Sequence, residues 1–556
     1  MRSRPLAALS LCFILWSDAT IALHAQSVPS PNTSVVSKVW VADQGNGKYR
    51  NPILFADYSD PDVLRMGDDF YLVSSSFDQV PGLPILHSRD LVNWQLIAHA
   101  LPIQPPAEVY RQTSHGNGVW APSLRFHKGK FFLYYPDPEF GIYVTTAQQI
   151  TGPWSTPKLI KAAKGWIDPC PLWDDDGNAY LINAMAASRS GVKNVLILSR
   201  MSEDGEHLLD DGVLIIDGHE TDRTLEGPKL YKRNGYYYVF APAGGVPTGY
   251  QLVYRSRSIY GPYERRTVLA QGKTDINGPH QGAWVDTPSG EDWFLHFQDR
   301  GAYGRVTLLE PMRWVDDWPA IGVRQDAKGV GEPVDEYRKP KVAGTVAIAT
   351  PADSDEFNQP ALGLQWQWQA NPEPGWAFPS SALGVLRLEN VPIGADGGER
   401  LWDTPNVLSA KLPGPAFTAT VKLEPHGFRE GDRAGLVLLG RDYAYVAIRQ
   451  TSSGAVLVVG RCADANKKGT EHETVIGPAP AGTMFLRVTL AKSADALFFA
   501  SSDGRDFHQV GDSFKVREGE WIGSKLGLFA QSRDRSGERG YVDLDWFHLE
   551  APVAAK

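Results

Sequence analysis

Cysteine is scarce in this chain, with 3 among 556 residues. Cys12 belongs to an N-terminal apolar run, and Cys170 and Cys462 stand about three hundred residues apart, so no disulfide framework is indicated. Cys170 lies beside Asp168 without a partnering base motif, which makes it a buried apolar thiol rather than a nucleophile. Basic charge is also short: 55 Lys and Arg face 64 Asp and Glu, a formal net charge of −9, leaving no broad basic surface for a phosphate backbone. That excludes nucleic acid as a partner. The apolar run from Leu6 to Trp16 is too short to span a bilayer. Arg2 and Arg4 precede it and small residues lead to Ala25, the order of a secretory signal. Residues 1–25 are therefore expected to be removed and the mature chain to be secreted, periplasmic or extracellular, with no transmembrane segment beyond that signal. No HExxH, P-loop or dinucleotide fingerprint occurs in a suitable context. The run "DDDGN" from Asp174 lacks the bidentate Glu of a calcium loop and reads as a hairpin turn.

Glycine, proline and tryptophan are plentiful instead, at 54, 40 and 17 residues, which points to many turns and aromatic surfaces in an all-β, sugar-handling protein. The length calls for two or more domains. Helical periodicity is scarce from residue 51 to 315, where one pattern recurs five times: a polar turn with an aromatic strand, then a second alternating strand. The turn-and-strand element reads "GDDFYLV" from Gly67, "KGKFFLY" from Lys128, "DDGNAYLI" from Asp175, "RNGYYYVF" from Arg233 and "SGEDWFLHF" from Ser289. Units about 50 to 60 residues long fit the blades of a five-bladed β-propeller, which leaves only short protected edges. Each unit opens on a strand that enters through a proline-containing motif: "SDPDVLR", "WAPSLRF", "IDPCPLW", "EGPKLYK" and "GPHQGAW". With these strands innermost, Asp60, Trp120, Asp168, Glu226 and His280 are expected in similar places around one axis. Three carboxyls then converge, an arrangement that suits chemistry needing an acid beside a base.

The repeat stops at 316, and "DAKGVGEPVDEYRKPKVAG" reads as a polar linker. Alternating segments from "FTATVKLEP" at Phe417 to "YVDLDWFHLE" at Tyr541 then suggest an antiparallel β-sandwich. The expected division is a propeller over residues 26–345 and a sandwich over 346–556. Aromatics in "LQWQWQANPEPGWAF" suit core packing better than a sugar platform. Glycosidic hydrolysis needs one carboxylic acid to protonate the leaving oxygen and one carboxylate to activate water or attack carbon. A shorter Asp60 suits a base acting through water, Glu226 beside Gly227 reaches a leaving group, and Asp168 would keep Glu226 protonated.

The stretches "NPILFADYSDPDVLRMGDDFYLVSSSF", "GVWAPSLRF", "WIDPCPLWDDDGNAYLI", "EGPKLYKRNGYYYVF" and "HQGAWVDTPSGEDWFLHFQDRGAYGRVTLLEP" resemble glycoside hydrolase family 43. The later "LGLQWQWQANPEPGWAF" resembles the concanavalin A-like sandwich behind many xylosidases of that family. The resemblance implies a five-bladed propeller and an inverting mechanism with Asp60 as base, Asp168 as modulator and orienter, and Glu226 as acid. It implies that Phe77 and Trp120 line the pocket for the terminal sugar and that Arg305 binds that sugar. The alternatives for these three are core packing for the aromatics and a surface ion pair for Arg305. His280 matches a histidine near the axis that holds water or a calcium ion; an ordinary hydrogen-bonded core histidine is the alternative. One departure stands out: Phe77-Asp78-Gln79, where the family often carries an acidic residue and then an aromatic. The expected activity is release of terminal β-D-xylose from xylo-oligosaccharides, with α-L-arabinofuranoside cleavage of arabino-oligosaccharides as the alternative, and no required cofactor. A non-catalytic carbohydrate-binding protein or a propeller scaffold for protein partners would not need three converging acids.

Overall fold

A computed structural model describes residues 36–392, 400–533 and 537–552; the expected signal at 1–25 lies outside them. Five four-stranded antiparallel sheets follow one another along the chain, each built outward strand by strand in sequence order. They are the blades of a propeller. The innermost strands are Asp62–Met66, Ser123–His127, Trp166–Trp173, Lys229–Arg233 and His280–Asp286. Each of the five quoted turns joins the first and second strands of its blade, "DDGN" included, with Gly177 at φ +84° accepting the left-handed turn that a side chain would resist. Phe70, Leu72, Leu133, Leu181, Val239 and Leu295 on the second strands are fully buried. Those strands run between their neighbours with both faces covered, so they read as continuous apolar runs.

Each blade also has a fourth, outer strand: Gln95–Leu101, Lys158–Ala162, Val213–Asp217, Glu264–Ala270 and Trp318–Ile321. Their partial exposure leaves little apolar alternation to read. The repeat therefore runs to Ile321, and much of the expected linker is ordered against the propeller. Glu336–Arg338 pairs with Lys48–Arg50, and Leu54 bridges Thr307 of the fifth blade, which ties the two ends of the ring together.

The second region is a sandwich of an eight-stranded and a seven-stranded sheet. The strands Phe417–His426, Arg433–Leu439, Tyr443–Thr451, Gly454–Cys462, Met484–Leu490 and Tyr541–Glu550 coincide with the alternating segments of the sequence. Trp366, Trp368 and Trp376 are buried, as expected of core residues. One apolar core runs across the boundary, joining Phe55, Tyr303, Val306 and Leu308 of the propeller to Trp368, Leu408 and Leu412. Backbone pairing does the same, with Val80 and Trp368 exchanging hydrogen bonds of 3.0 and 2.6 Å.

Candidate active site

The start of every inner strand has one local design. A residue X and then a proline or glycine precede a residue paired with the second strand: Asp60-Pro61-Asp62, Ala121-Pro122-Ser123, Asp168-Pro169-Cys170, Gly227-Pro228-Lys229 and Gln281-Gly282-Ala283, with X lying in a register shift just inside the strand in the third and fifth blades. X has left-handed backbone in four of the five, with φ of 54° at Asp60, 56° at Asp168, 60° at Gly227 and 38° at Gln281. Side chains pay a steric cost in that region, and such strain concentrates at functional sites. Asp60 and Asp168 occupy X itself. Trp120, Glu226 and His280 stand one residue earlier, so the five residues divide between two neighbouring positions rather than sharing one. The offset follows from the strained position: Gly227 takes the left-handed turn at X, and Glu226 is free to extend from the residue before it.

Asp60 is buried at 3% exposure. Arg305 Nη1 donates to its two carboxylate oxygens at 3.2 and 3.4 Å, and the Ser75 hydroxyl donates to Oδ2. Arg305 is thus an internal partner of the first acid, not a surface ion pair. Asp168, 5% exposed, accepts the Gly227 N–H at 2.8 Å. Burial first, and then the charge of Glu226, push the Asp168 carboxyl up to about 8, with Asp60 adding in the same direction and the Gly227 and Gln281 hydrogen bonds opposing. Glu226 is the most accessible of the three, with its side chain 25% exposed, and its Oε1 stands 3.3 Å from Nε2 of the buried His280. Neither ring nitrogen of His280 makes a hydrogen bond, and the ring lies 5.3 Å from Phe297. Among the described residues no group of three or more His, Cys, Asp or Glu side chains is arranged to hold a metal ion.

Phe77 and Trp120 meet at 6.1 Å between ring centroids. Trp120 is half-buried and its indole N–H donates to Gly116 O at 3.0 Å; Arg189 lies over its ring at 5.5 Å. The other neighbour of Trp120 is Trp521, which arrives from the sandwich and stands edge-on at 6.2 Å. Asp57 anchors the segment that carries it. Asp57 accepts the N–H of Arg305 and of Gly523, each at 3.0 Å, and pairs with Lys525 at 3.2 Å. Burial opposes the charge of Asp57, but Lys525, Lys411 and the two N–H groups outweigh it and hold the carboxyl below its ordinary range. Asp78 and Gln79, the departure seen in the sequence, point into the seam between the two domains. Asp78 Oδ2 lies 3.3 Å from His115 Nδ1, and Gln79 accepts from Ser409 at 3.1 Å. Cys170 is buried as expected, within an apolar cluster that includes Ile182 and Leu230, and Arg125 Nη2 stands 2.9 Å from its sulfur.

Ser75, Trp521, Asp57 and Arg189 were not read from the sequence. A lone Trp in the polar, glycine-containing run "REGEWIGSK" was the one visible signal for Trp521.

Three carboxyls gathered at a propeller axis beside an aromatic wall define a glycoside-cleaving site. The sequence pattern of glycosyl hydrolases family 43 matches residues 49–319, and that of the β-xylosidase C-terminal concanavalin A-like domain matches residues 354–550. A putative β-xylosidase of Xylanibacter ruminicola is 37% identical over 526 residues, 92% of each chain. A non-reducing end α-L-arabinofuranosidase of Bacteroides ovatus is 30% identical over 92% of this chain and 96% of its own. The solved xylan β-1,4-xylosidase of Bacillus halodurans superposes with a TM-score of 0.79 at 26% identity, covering 90% of this chain and 99% of that one. The chain belongs to glycoside hydrolase family 43 and is a glycosyl hydrolase of its β-xylosidase and arabinofuranosidase group.

Proposed function

We propose that this is a secreted, exo-acting β-D-xylosidase that inverts the anomeric carbon, with Asp60 as general base and Glu226 as general acid. The observation that carries the reading is the contrast between the two carboxyls. Asp60 is buried and held by Arg305 and Ser75, whereas Glu226 is the more accessible carboxyl and acts beside Asp168, whose own carboxyl is pushed up by burial and by the charge of Glu226. In the step proposed, Asp60 takes a proton from water as its oxygen attacks the anomeric carbon. Glu226 gives a proton to the glycosidic oxygen as that bond breaks. Asp168 is the modulator of that acid and orients it through the Gly227 N–H that it accepts. Phe77 and Trp120 form the wall for the terminal sugar, and Arg305 serves both that sugar and Asp60.

Exo action is supported by Trp521 and its segment standing against the aromatic wall, which suits a closed pocket rather than an open groove. Secretion rests on the order of charged, apolar and small residues before Gln26. The reaction draws on no cofactor. Cleavage of α-L-arabinofuranosides is a second reading, favoured by the name and 30% identity of the Bacteroides ovatus relative. Both sugars are pentoses with similar hydroxyls. Hydrolysis of paired nitrophenyl β-D-xylopyranoside and α-L-arabinofuranoside by the full chain decides between them: a higher kcat/KM on the xyloside is expected, and the reverse order transfers the assignment to the arabinoside.

A further inference from the structure

Beneath the three acids the inner strands enclose a second set of charged groups that the proposed chemistry does not use. Lys229, three residues after Glu226, is 2% exposed, and Asp62, two residues after Asp60, is fully buried. An ammonium and a carboxylate removed from water persist only when partners replace the lost hydration. The partners here come from different blades. Lys229 Nζ donates to Pro122 O and to Ser123 Oγ, each at 2.7 Å, and stands 3.5 Å from Asp62 Oδ1, an oxygen with no hydrogen bond of its own. The other oxygen of Asp62 accepts from Leu124 N and Arg125 Nη1, each at 2.7 Å. Arg125 continues to Cys170 at 2.9 Å, and Cys170 accepts the N–H of Leu230 at 3.3 Å.

Lys229 begins the inner strand of the fourth blade, yet its ammonium is bound by the second blade and faces the first. It thus links the fourth blade to two blades that are not joined to it in sequence. Asp62 and Lys229 itself stand directly after the prolines of two acid-bearing turns: Pro61 separates Asp60 from Asp62, and Pro228 separates Gly227 from Lys229. A proline ring fixes φ, so displacement of the strand residue is passed on to the turn before it.

We propose that Lys229 is a positioning residue, a strut between blades that sets the separation of the Asp60 and Glu226 carboxyls. The inference rests on the acid and base roles proposed above. An inverting site must leave room for one water between its carboxyls, about 6.5–9.5 Å, and small misplacements of reacting groups are costly.

The test compares full-length Lys229→Met, Lys229→Gln and Ser123→Ala with the parent enzyme. Steady-state kinetics on nitrophenyl β-D-xyloside and α-L-arabinofuranoside are measured together with a crystal structure of each protein. Lys229→Met, nearly the same length but without donors, is expected to lower kcat by on the order of tenfold to hundredfold and leave KM within about twofold. Lys229→Gln keeps an N–H donor and recovers part of the loss. Ser123→Ala, which leaves Pro122 in place, loses about twofold to fivefold in kcat and decides the matter should Lys229→Met not fold. The Asp60–Glu226 separation shifts in Lys229→Met and returns toward the parent value in Lys229→Gln. Parent-like kcat in folded variants with only a lowered melting temperature, or unchanged carboxyl separation, overturns the strut. A parent enzyme inactive on both pentosides overturns the proposed function instead, and the measured separations still decide the role of Lys229.

Discussion

Trp521, from the sandwich, stands edge-on to Trp120, from the second propeller blade, with 6.2 Å between centroids and 60° between planes. Trp521 has φ of 67°, and Gly116, which accepts the Trp120 indole N–H, has no room for a Cβ because Glu520 and Trp521 lie at 2.7 and 2.9 Å. The aromatic wall is thus built from both domains. Trp521→Ala is expected to raise KM on aryl xyloside by about threefold to tenfold, the worth of one aromatic contact. The fold should survive, since Trp521 is 43% exposed. Steady-state kinetics check this; an unchanged KM removes Trp521 from the pocket.

The shared core implies that the propeller does not stand well alone. Phe55, Tyr303 and Leu308 pack into the same cluster as Trp368 and Leu412. A chain ending at residue 345 would expose those side chains to water. It is expected to be poorly soluble or to melt well below the full chain, as read by calorimetry. Full solubility with unchanged melting and activity contradicts the shared core.

The propeller was legible in the sequence because its inner and second strands carry strong local signals. Proline or glycine marks each entry, and the second strands are apolar runs such as "YLINAM" in the third blade. The outer strands were not legible, since Val213 and Leu214 face solvent and the pattern of Lys158–Ala162 is mostly charged or exposed. Asp60, Asp168 and Glu226 were found because the repeat aligns them, and Arg305 because "YGRVTLLEP" resembles a family motif. The one-residue offset of Glu226 was hidden: it depends on Gly227 being left-handed, which the repeat alone does not state. Trp521 was hidden for a different reason. It lies two hundred residues beyond Ile321, and the docking of Gly523 and Lys525 on Asp57 and of Ser524 on Ala302 brings it to Trp120.

Asp168 gives the enzyme a pH signature in stability. Its folded carboxyl titrates at about 8, well above the ordinary 3.8, so the native state binds the proton more tightly than the unfolded chain does. The contribution to stability is fully present below about pH 3.8 and is lost as pH rises through about 8. Asp168→Asn mimics the protonated carboxyl and can still accept the Gly227 N–H. It is expected to melt higher than the parent at pH 8–9, with the difference shrinking toward pH 4, while losing most activity. Equal melting at pH 9 contradicts the burial and charge argument.

The two other acids separate by leaving group. Glu226→Ala removes the proton donor, so xylobiose, whose sugar leaves as a basic oxygen, should slow by about 10²–10⁴-fold, and a nitrophenyl xyloside by far less. Asp60→Ala removes activation of water and should slow both substrates alike. Rates of each variant on the two substrates check this; the opposite dependence reverses the acid and base.

The central claim, that Asp60 acts on carbon only through a water molecule, is tested most directly by proton NMR of the first sugar released from a β-D-xyloside. Direct attack by a carboxylate would pass through a covalent intermediate and return the original anomer, whereas attack by water opposite the leaving group inverts it. The account predicts α-xylose as the first anomer seen, followed by slow mutarotation. β-Xylose appearing first would contradict the assignment of Asp60 as general base.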